Sequence, residues 1–292
     1  MSTANISFIG GGNIAEAILS GLVKHGHDPN QIAVADPYEP QLQKLSQKYK
    51  IRLATLDNLA CLNAFGSDSP CDVVIIATKP QIVSTAIKQV AELIHKYKPL
   101  IISIAAGIKI ESIYGWVTKD ANLESNHPIP IARLMPNTLA LIGEGAGGLI
   151  ANQYVSQDQK EIANYVAGQI TKQFFWFGSD SDIDSVTAIS GSGPAYFFYV
   201  IEAMQEAAME MGFEKDTARK LVAQTCLGAG KMVLDSPEEV STLRQRVTSP
   251  NGTTYAAITC MESHHVKESI KKGCYAARDR SVEISEEFGN LP

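Results

Sequence analysis

Short apolar runs separated by helix-like stretches fill the first half of the chain. Ile6 to Ile9, Ile32 to Ala35, Val73 to Ala77, Leu100 to Ile104 and Ile131 to Met135 are each four or five residues long and apolar nearly throughout. Runs of that length, with few polar alternates, predict strands buried on both faces in a parallel α/β sheet. Gly147 to Ile150 and Phe174 to Phe177 are expected to extend the sheet. After Gly178 the acidic Asp180-Ser181-Asp182-Ile183-Asp184 breaks the alternation, and from Ser190 the spacing turns helical. Phe197, Val200, Ile201, Met204, Ala208 and Met211 follow one helical face up to Gly212, and further helices fit Thr217 to Leu234, Thr253 to Glu262 and Val266 to Glu286. The expectation is an α/β, doubly wound Rossmann-like domain over residues 1–178, followed by an all-α domain over 179–292.

The segment Ala195 to Met211 has only Gln205 and three glutamates as polar residues. A helix apolar on most of its circumference has to be covered, and a second subunit is the expected cover. The alternative is a monomer in which the first domain covers it.

Gly10-Gly11-Gly12-Asn13-Ile14-Ala15 follows the first strand directly and matches G-x-G-x-x-G/A. Ile14, Ala17, Ile18, Gly21 and Leu22 then recur at helical spacing, so a helix begins where a dinucleotide loop requires one. Gly10 suits the tight turn, Gly12 the close approach of a pyrophosphate, and the helix N-terminus attracts its charge. Asp36 closes the second strand, where a carboxylate takes ribose hydroxyls and repels a 2′-phosphate. No lysine or arginine lies in Pro37-Tyr38-Glu39-Pro40-Gln41, so the residues lean to NADH. The other reading of Asp36 is a cap on the Pro37 turn. Thr78-Lys79-Pro80-Gln81, Ala105-Ala106-Gly107 and Pro136-Asn137-Thr138 stand at further strand ends and form a plausible ligand rim.

Composition narrows the classes. The 292 residues carry a formal net charge of -6 and no basic cluster, which gives nucleic acid no footprint. Met1 to Asn5 is a short polar lead without the charged and apolar regions of a secretion signal, and no stretch reaches the roughly 18 apolar residues of a membrane span. A cytoplasmic protein without membrane or nucleic-acid partners is expected. Cys61, Cys71, Cys226, Cys260 and Cys274 are scattered without a C-x-x-C pair and read as buried free thiols, and only His264 and His265 cluster among the histidines, so no metal site is expected.

Two segments combine hydroxyls, glycine and proline near helix starts: Ser190-Gly191-Ser192-Gly193-Pro194-Ala195-Tyr196 and Val247-Thr248-Ser249-Pro250-Asn251-Gly252-Thr253-Thr254. Free N–H groups there suit a carboxylate; for the second segment simple capping is an equal reading. With these segments, the glycine loop, the Thr78 turn, Ser103-Ile104-Ala105-Ala106-Gly107 and Arg133-Leu134-Met135-Pro136-Asn137-Thr138, the chain resembles the pyrroline-5-carboxylate reductases over nearly its whole length.

That resemblance implies hydride transfer from NADP(H) or NAD(H) to the C=N bond of 1-pyrroline-5-carboxylate, the last step to proline. The small imino acid would be held by Ser249, Gly252, Thr253 and Thr254, with Thr254 the side-chain partner of the ring nitrogen. Cofactor contacts carried over are Gly10, Gly11, Gly12, Asn13, Ile14, Ala15, Asp36, Asn58, Thr78, Lys79, Pro80, Ala105, Ala106, Gly107, Met135, Pro136 and Asn137. A homodimer interleaved through the helical domain, assembled in some cases into a ring of dimers, is implied as well. Asn251 stands where the family usually has a second glycine, and asparagine tolerates positive φ. The stretch Cys61 to Pro70 is longer than usual for the family.

Two rival readings fit the residues less well. A 3-hydroxyacid dehydrogenase needs a general acid-base, typically a lysine on the long central helix, and Gly191 to Met211 contains no Lys, Arg or His. A non-catalytic NAD(P)-sensing dimer has no need of a carboxylate cradle.

Overall fold

The computed structural model describes residues 4–119, 128–289 and 291; Met1 to Thr3 of the polar lead lie outside them. The first half runs β1 (Ile6–Ile9), α1 (Asn13–Lys24), β2 (Ile32–Ala35), α2 (Glu39–Tyr49), β3 (Leu53–Thr55), α3 (Asn58–Leu62), β4 (Val73–Ile76), α4 (Pro80–Tyr97), β5 (Leu100–Ser103), α5 (Ile110–Lys119) and β6 (Ile131–Met135). Then come β7 (Gly145–Ala151), α6 (Gln157–Ala167), β8 (Thr171–Trp176) and α7 (Asp180–Val186). The sheet order is β3-β2-β1-β4-β5-β6-β7-β8. Neighbours are parallel except β6 and β7, which pair antiparallel.

Every residue of β1, β2, β4 and β5 is buried, as the apolar runs require. Alternate side chains serve opposite faces of the sheet. Ile6, Phe8, Val34 and Ile75 pack with Leu19 and Leu22 of α1 and Leu45 of α2. Ile9, Val74, Ile76 and Ile101 pack with Val83 and Ile87 of α4 and Trp116 of α5. Each face thus holds its own apolar layer, and the strand ends are left to loops.

Residues Met1–Ser192 with Ala277–Pro292 form one compact unit, and Gly193–Ala276 another. By packing, residues 179–192 group with the sheet although they follow the expected division at 178/179, and the reason is local. The acidic run is not a break: Ser179 accepts the Asp182 N–H and Asp182 returns the bond, a capping box that starts α7 with its carboxylates at the favourable helix end. That helix belongs to the sheet unit. Arg133 of β6, only 2% exposed, forms an ion pair with Asp180. Ser281 donates to the buried Asp184 at 2.7 Å.

The second unit is helical: α8 (Gly193–Glu210), α9 (Lys215–Asp235), α10 (Val240–Arg246), α11 (Thr253–Ser263) and the first part of α12 (Val266–Gly289). Its apolar side chains stand largely in the open; Phe197, Phe198 and Tyr199 are 63%, 60% and 75% exposed. Among the described residues no helix is long and apolar enough to cross a membrane. The expectation that all cysteines are buried holds for Cys61 and Cys71 only, since Cys226 and Cys274 are half-buried and Cys260, on the open helical unit, is exposed.

Candidate functional site

The glycine loop turns directly off β1 into α1. Gly10 has φ 102°, and a Cβ there would stand 2.6 Å from the Ala77 carbonyl oxygen, so only glycine lets β1 and β4 end side by side. Gly12 is the N-cap of α1 and has no side-chain capping bond, and a Cβ added to it would meet nothing within 4 Å. The first-turn N–H groups of Asn13, Ile14 and Ala15 therefore have no side-chain cap competing for them, beside open space at Gly12. Such a helix start suits a phosphate.

Gly11 is clamped on both sides. Its N–H donates to Asp36 Oδ2 at 2.7 Å, and its carbonyl accepts from Gln41 Nε2 at 2.7 Å. The other Asp36 oxygen accepts the Tyr38 N–H at 2.8 Å. Asp36 thus does cap the turn that follows it, and this bond fixes the carboxylate at the end of β2. One lone pair per oxygen remains for a ribose hydroxyl. Gln41, the third residue of α2, carries no sequence signal for this role, because nothing marks one glutamine of a first helical turn as a loop clamp.

Behind the clamp, Glu16 of α1 accepts from Lys44, Lys48, Gln41 and Tyr49. Partial burial alone would raise its carboxyl, but the bonds from Lys44, Lys48 and Gln41 outweigh it and hold the group down at about 2.

The remaining rim residues fall at successive strand ends. Thr78, Lys79 and Pro80 follow β4, with Lys79 the N-cap of α4 and Pro80 its first residue. Ala105, Ala106 and Gly107 follow β5, Gly107 at φ 73°. Met135 ends β6, and Pro136 and Asn137 lead into a short 3-10 turn. Two buried polar atoms here, Thr78 Oγ1 and Asn137 Oδ1, have no partner among the described residues. Unpaired buried acceptors and hydroxyls are costly, so the two at this edge fit a polar ligand. Asn58 stands at the β3 end of the same edge, its amide nitrogen bonded to Gln89 at 2.7 Å.

In the helical unit, Ser249, Asn251, Gly252, Thr253 and Thr254 form the turn into α11. Gly252 is the N-cap and no side chain caps the helix, so the capping reading of this segment is not what the geometry shows. Gly252 donates to the Ser249 carbonyl at 3.0 Å, and Asn251 has φ 59°, the left-handed conformation that asparagine tolerates in place of glycine. The hydroxyls of Ser249, Thr253 and Thr254 are left beside uncapped N–H groups, a group that can receive a carboxylate. Among the described residues no cluster of three or more His, Cys, Asp or Glu side chains is placed to hold a metal ion.

Comparison with known proteins gives two family matches. Residues 180–284 match the pyrroline-5-carboxylate reductase dimerisation model, and residues 5–107 match a model described as NADP oxidoreductase coenzyme F420-dependent. A pyrroline-5-carboxylate reductase of Pseudomonas aeruginosa is 39% identical over 99% of this chain and 100% of its own length. A solved pyrroline-5-carboxylate reductase of Coxiella burnetii superposes with a TM-score of 0.85 at 38% identity, covering 97% of this chain and 99% of that one. The pyrroline carboxylate reductase of Plasmodium falciparum, solved with NADP bound, gives a TM-score of 0.80 at 25% identity, over 98% of this chain and 99% of that one.

Proposed function

Because this chain belongs to the pyrroline-5-carboxylate reductase family, we propose that it reduces 1-pyrroline-5-carboxylate to L-proline with NADPH or NADH. The observation that carries the reading is the pairing of two different anion-ready helix starts in one chain, an uncapped one at Gly12 and an uncapped one at Gly252. A dinucleotide needs the first and a small carboxylate the second.

A reduced nicotinamide held there would supply a hydride to the C=N carbon. The chain's own task is alignment. Asn13, Ile14 and Ala15 would hold the pyrophosphate by their N–H groups, with Gly10, Gly11 and Gly12 shaping the loop around it. Asp36 and Asn58 would take the adenosine ribose. Thr78, Lys79, Pro80, Ala105, Ala106, Gly107, Met135, Pro136 and Asn137 would line the path to the nicotinamide. Ser249, Gly252 and Thr253 neutralise the carboxylate of the imino acid, and the Thr254 hydroxyl meets the ring nitrogen. A protonated imine is already electrophilic, so positioning and charge neutralisation suffice, and the absence of Lys, Arg and His from Gly191 to Met211 is no obstacle. The hydride and the imine proton together convert C=N to CH–NH, which balances the reaction.

The active unit is proposed to be a homodimer formed through residues 179–292, supported by the dimerisation match and by the exposed apolar side chains of α8. A ring of such dimers rests on the family resemblance alone. A cytoplasmic location is supported by the five unpaired cysteines.

The test is NAD(P)H oxidation followed by absorbance with pyrroline-5-carboxylate, for the native chain and for Thr254→Val. The native chain is expected to turn over. The variant should lose about 1.5–3 kcal/mol in kcat/KM through a lost hydrogen bond to a charged substrate, while direct NAD(P)H binding barely moves. Weakened nucleotide binding with unchanged substrate kinetics would reverse the assignment of the 249–254 segment.

A further inference from the structure

The two unpartnered atoms of the rim are unequal in what they specify. Thr78 Oγ1 can donate or accept, whereas Asn137 Oδ1 can only accept. Asn137 is 6% exposed, and its orientation is fixed by its neighbour: Nδ2 donates at 3.0 Å to the Ser190 carbonyl oxygen, itself unable to donate. That carbonyl lies in the single π turn, Thr187–Gly191, which follows α7. Turning the amide over would set two carbonyl oxygens against each other, so the nitrogen stays on Ser190 and the oxygen stays free.

The order of the strands says what reaches it. Starting at the glycine loop after β1, the neighbouring strand ends are those of β4, β5 and β6, in that order. Thr78 follows β4 and Asn137 follows β6, two strand spacings apart, or about 10 Å. Between them β5 runs into Ala105-Ala106-Gly107, of which only Ala106 is partly exposed, Gly107 being packed against Ile284. A ligand anchored by phosphate at Gly12 and lying along this row meets Thr78 first and Asn137 last. In a nicotinamide dinucleotide, the last group along that path is the carboxamide, which carries two N–H donors.

We propose that Asn137 Oδ1 accepts a hydrogen bond from the nicotinamide carboxamide and thereby fixes the rotation of the ring, so that one face is turned to the imino acid. The assignment rests on the reductase reading above. It gives Asn137 one stated partner atom and gives the Ser190 carbonyl the task of holding Asn137 in register. The π turn that presents Ser190 fits this role, since such turns concentrate at functional sites.

The test compares NADH with reduced 3-acetylpyridine adenine dinucleotide, in which a methyl group replaces the carboxamide nitrogen. Binding is read by nucleotide fluorescence without imino acid, so turnover is not involved. The native chain should bind NADH about fivefold more tightly than the analogue. In Asn137→Ala the two nucleotides should bind within a factor of two of each other, while ADP-ribose, which lacks the nicotinamide, binds both proteins alike. Equal affinities in the native chain, or an undiminished preference in the variant, would overturn the assignment. Should the variant bind ADP-ribose poorly, the native ratio still decides. A native chain that binds neither of these nucleotides nor NADPH overturns the reductase reading itself, which is a different outcome; one that binds only NADPH is tested with the 3-acetylpyridine analogue of NADPH in the same way.

Discussion

Gly11 has no side chain, yet two side chains of the β2–α2 segment hold its peptide groups, Asp36 on the N–H and Gln41 on the carbonyl. The ribose corner and the phosphate loop are therefore mechanically one piece. A carboxylate bound to two backbone N–H groups cannot swing aside for a 2′-phosphate without breaking both bonds. Replacing Asp36→Ser keeps a short polar group and removes the charge, and it should lower the ratio of KM for NADPH to KM for NADH. Steady-state kinetics with both nucleotides checks this; an unchanged ratio means that Asp36 serves the loop alone. The sequence offered two readings of Asp36, ribose contact and turn cap. They are compatible because a carboxylate has lone pairs for both, which a pattern of residue types does not reveal. The cradle glycines were readable because they interrupt an apolar run, whereas Gln41 and the orientation of Asn137 depend on partners distant in sequence.

Among the elements, Glu16 ties α1 to α2 through Lys44, Lys48, Gln41 and Tyr49. Its carboxyl is held at about 2 in the folded chain against an ordinary value of 4.5. A depressed folded-state value means that the stabilisation is fully present above about pH 4.5 and is lost as pH falls toward 2. Both lysines are more than half exposed, which screens the gain. Glu16→Gln should thus cost about 1–2 kcal/mol at pH 7, and the gap to the native chain should narrow below pH 4.5. Urea unfolding across that range measures it, and a gap independent of pH would show that charge is not its source. Most strands could be read from the sequence because fully buried parallel strands are continuous apolar runs. β3 was missed for the converse reason: Leu53, Ala54 and Thr55 are three half-buried residues on a sheet edge. The reversed direction of β7 was not readable either, since apolar content is the same whichever way a strand points.

At the scale of the molecule, the helical unit leaves Phe198 and Tyr199 more than half exposed in the single chain. Burying one such ring contributes about 1.5–3 kcal/mol, so a surface of this kind is expected to associate. Light scattering should find no active monomer at assay concentration, and Phe198→Asp should shift the mass toward a single chain; a native monomer with full activity would remove the dimer proposal. The all-α character of this region was legible from its period. Which of its residues pack with the sheet was not, because 180–192 and 277–292 join the sheet unit through partners distant in sequence, such as Asp180 with Arg133 of β6, 47 positions apart. The sheet itself limits how copies can meet. It ends on one side in β3, three residues long, and on the other in β8, where Lys172 and Gln173 are exposed. A three-residue stub is a poor template for a further strand from a neighbouring molecule, and at β8 the Lys172 charge stands beside the exposed Phe175. Growth into fibrils through the sheet is thereby discouraged at the β3 margin and rests at the other on that one lysine, whereas self-association through the helical surface can close and stop.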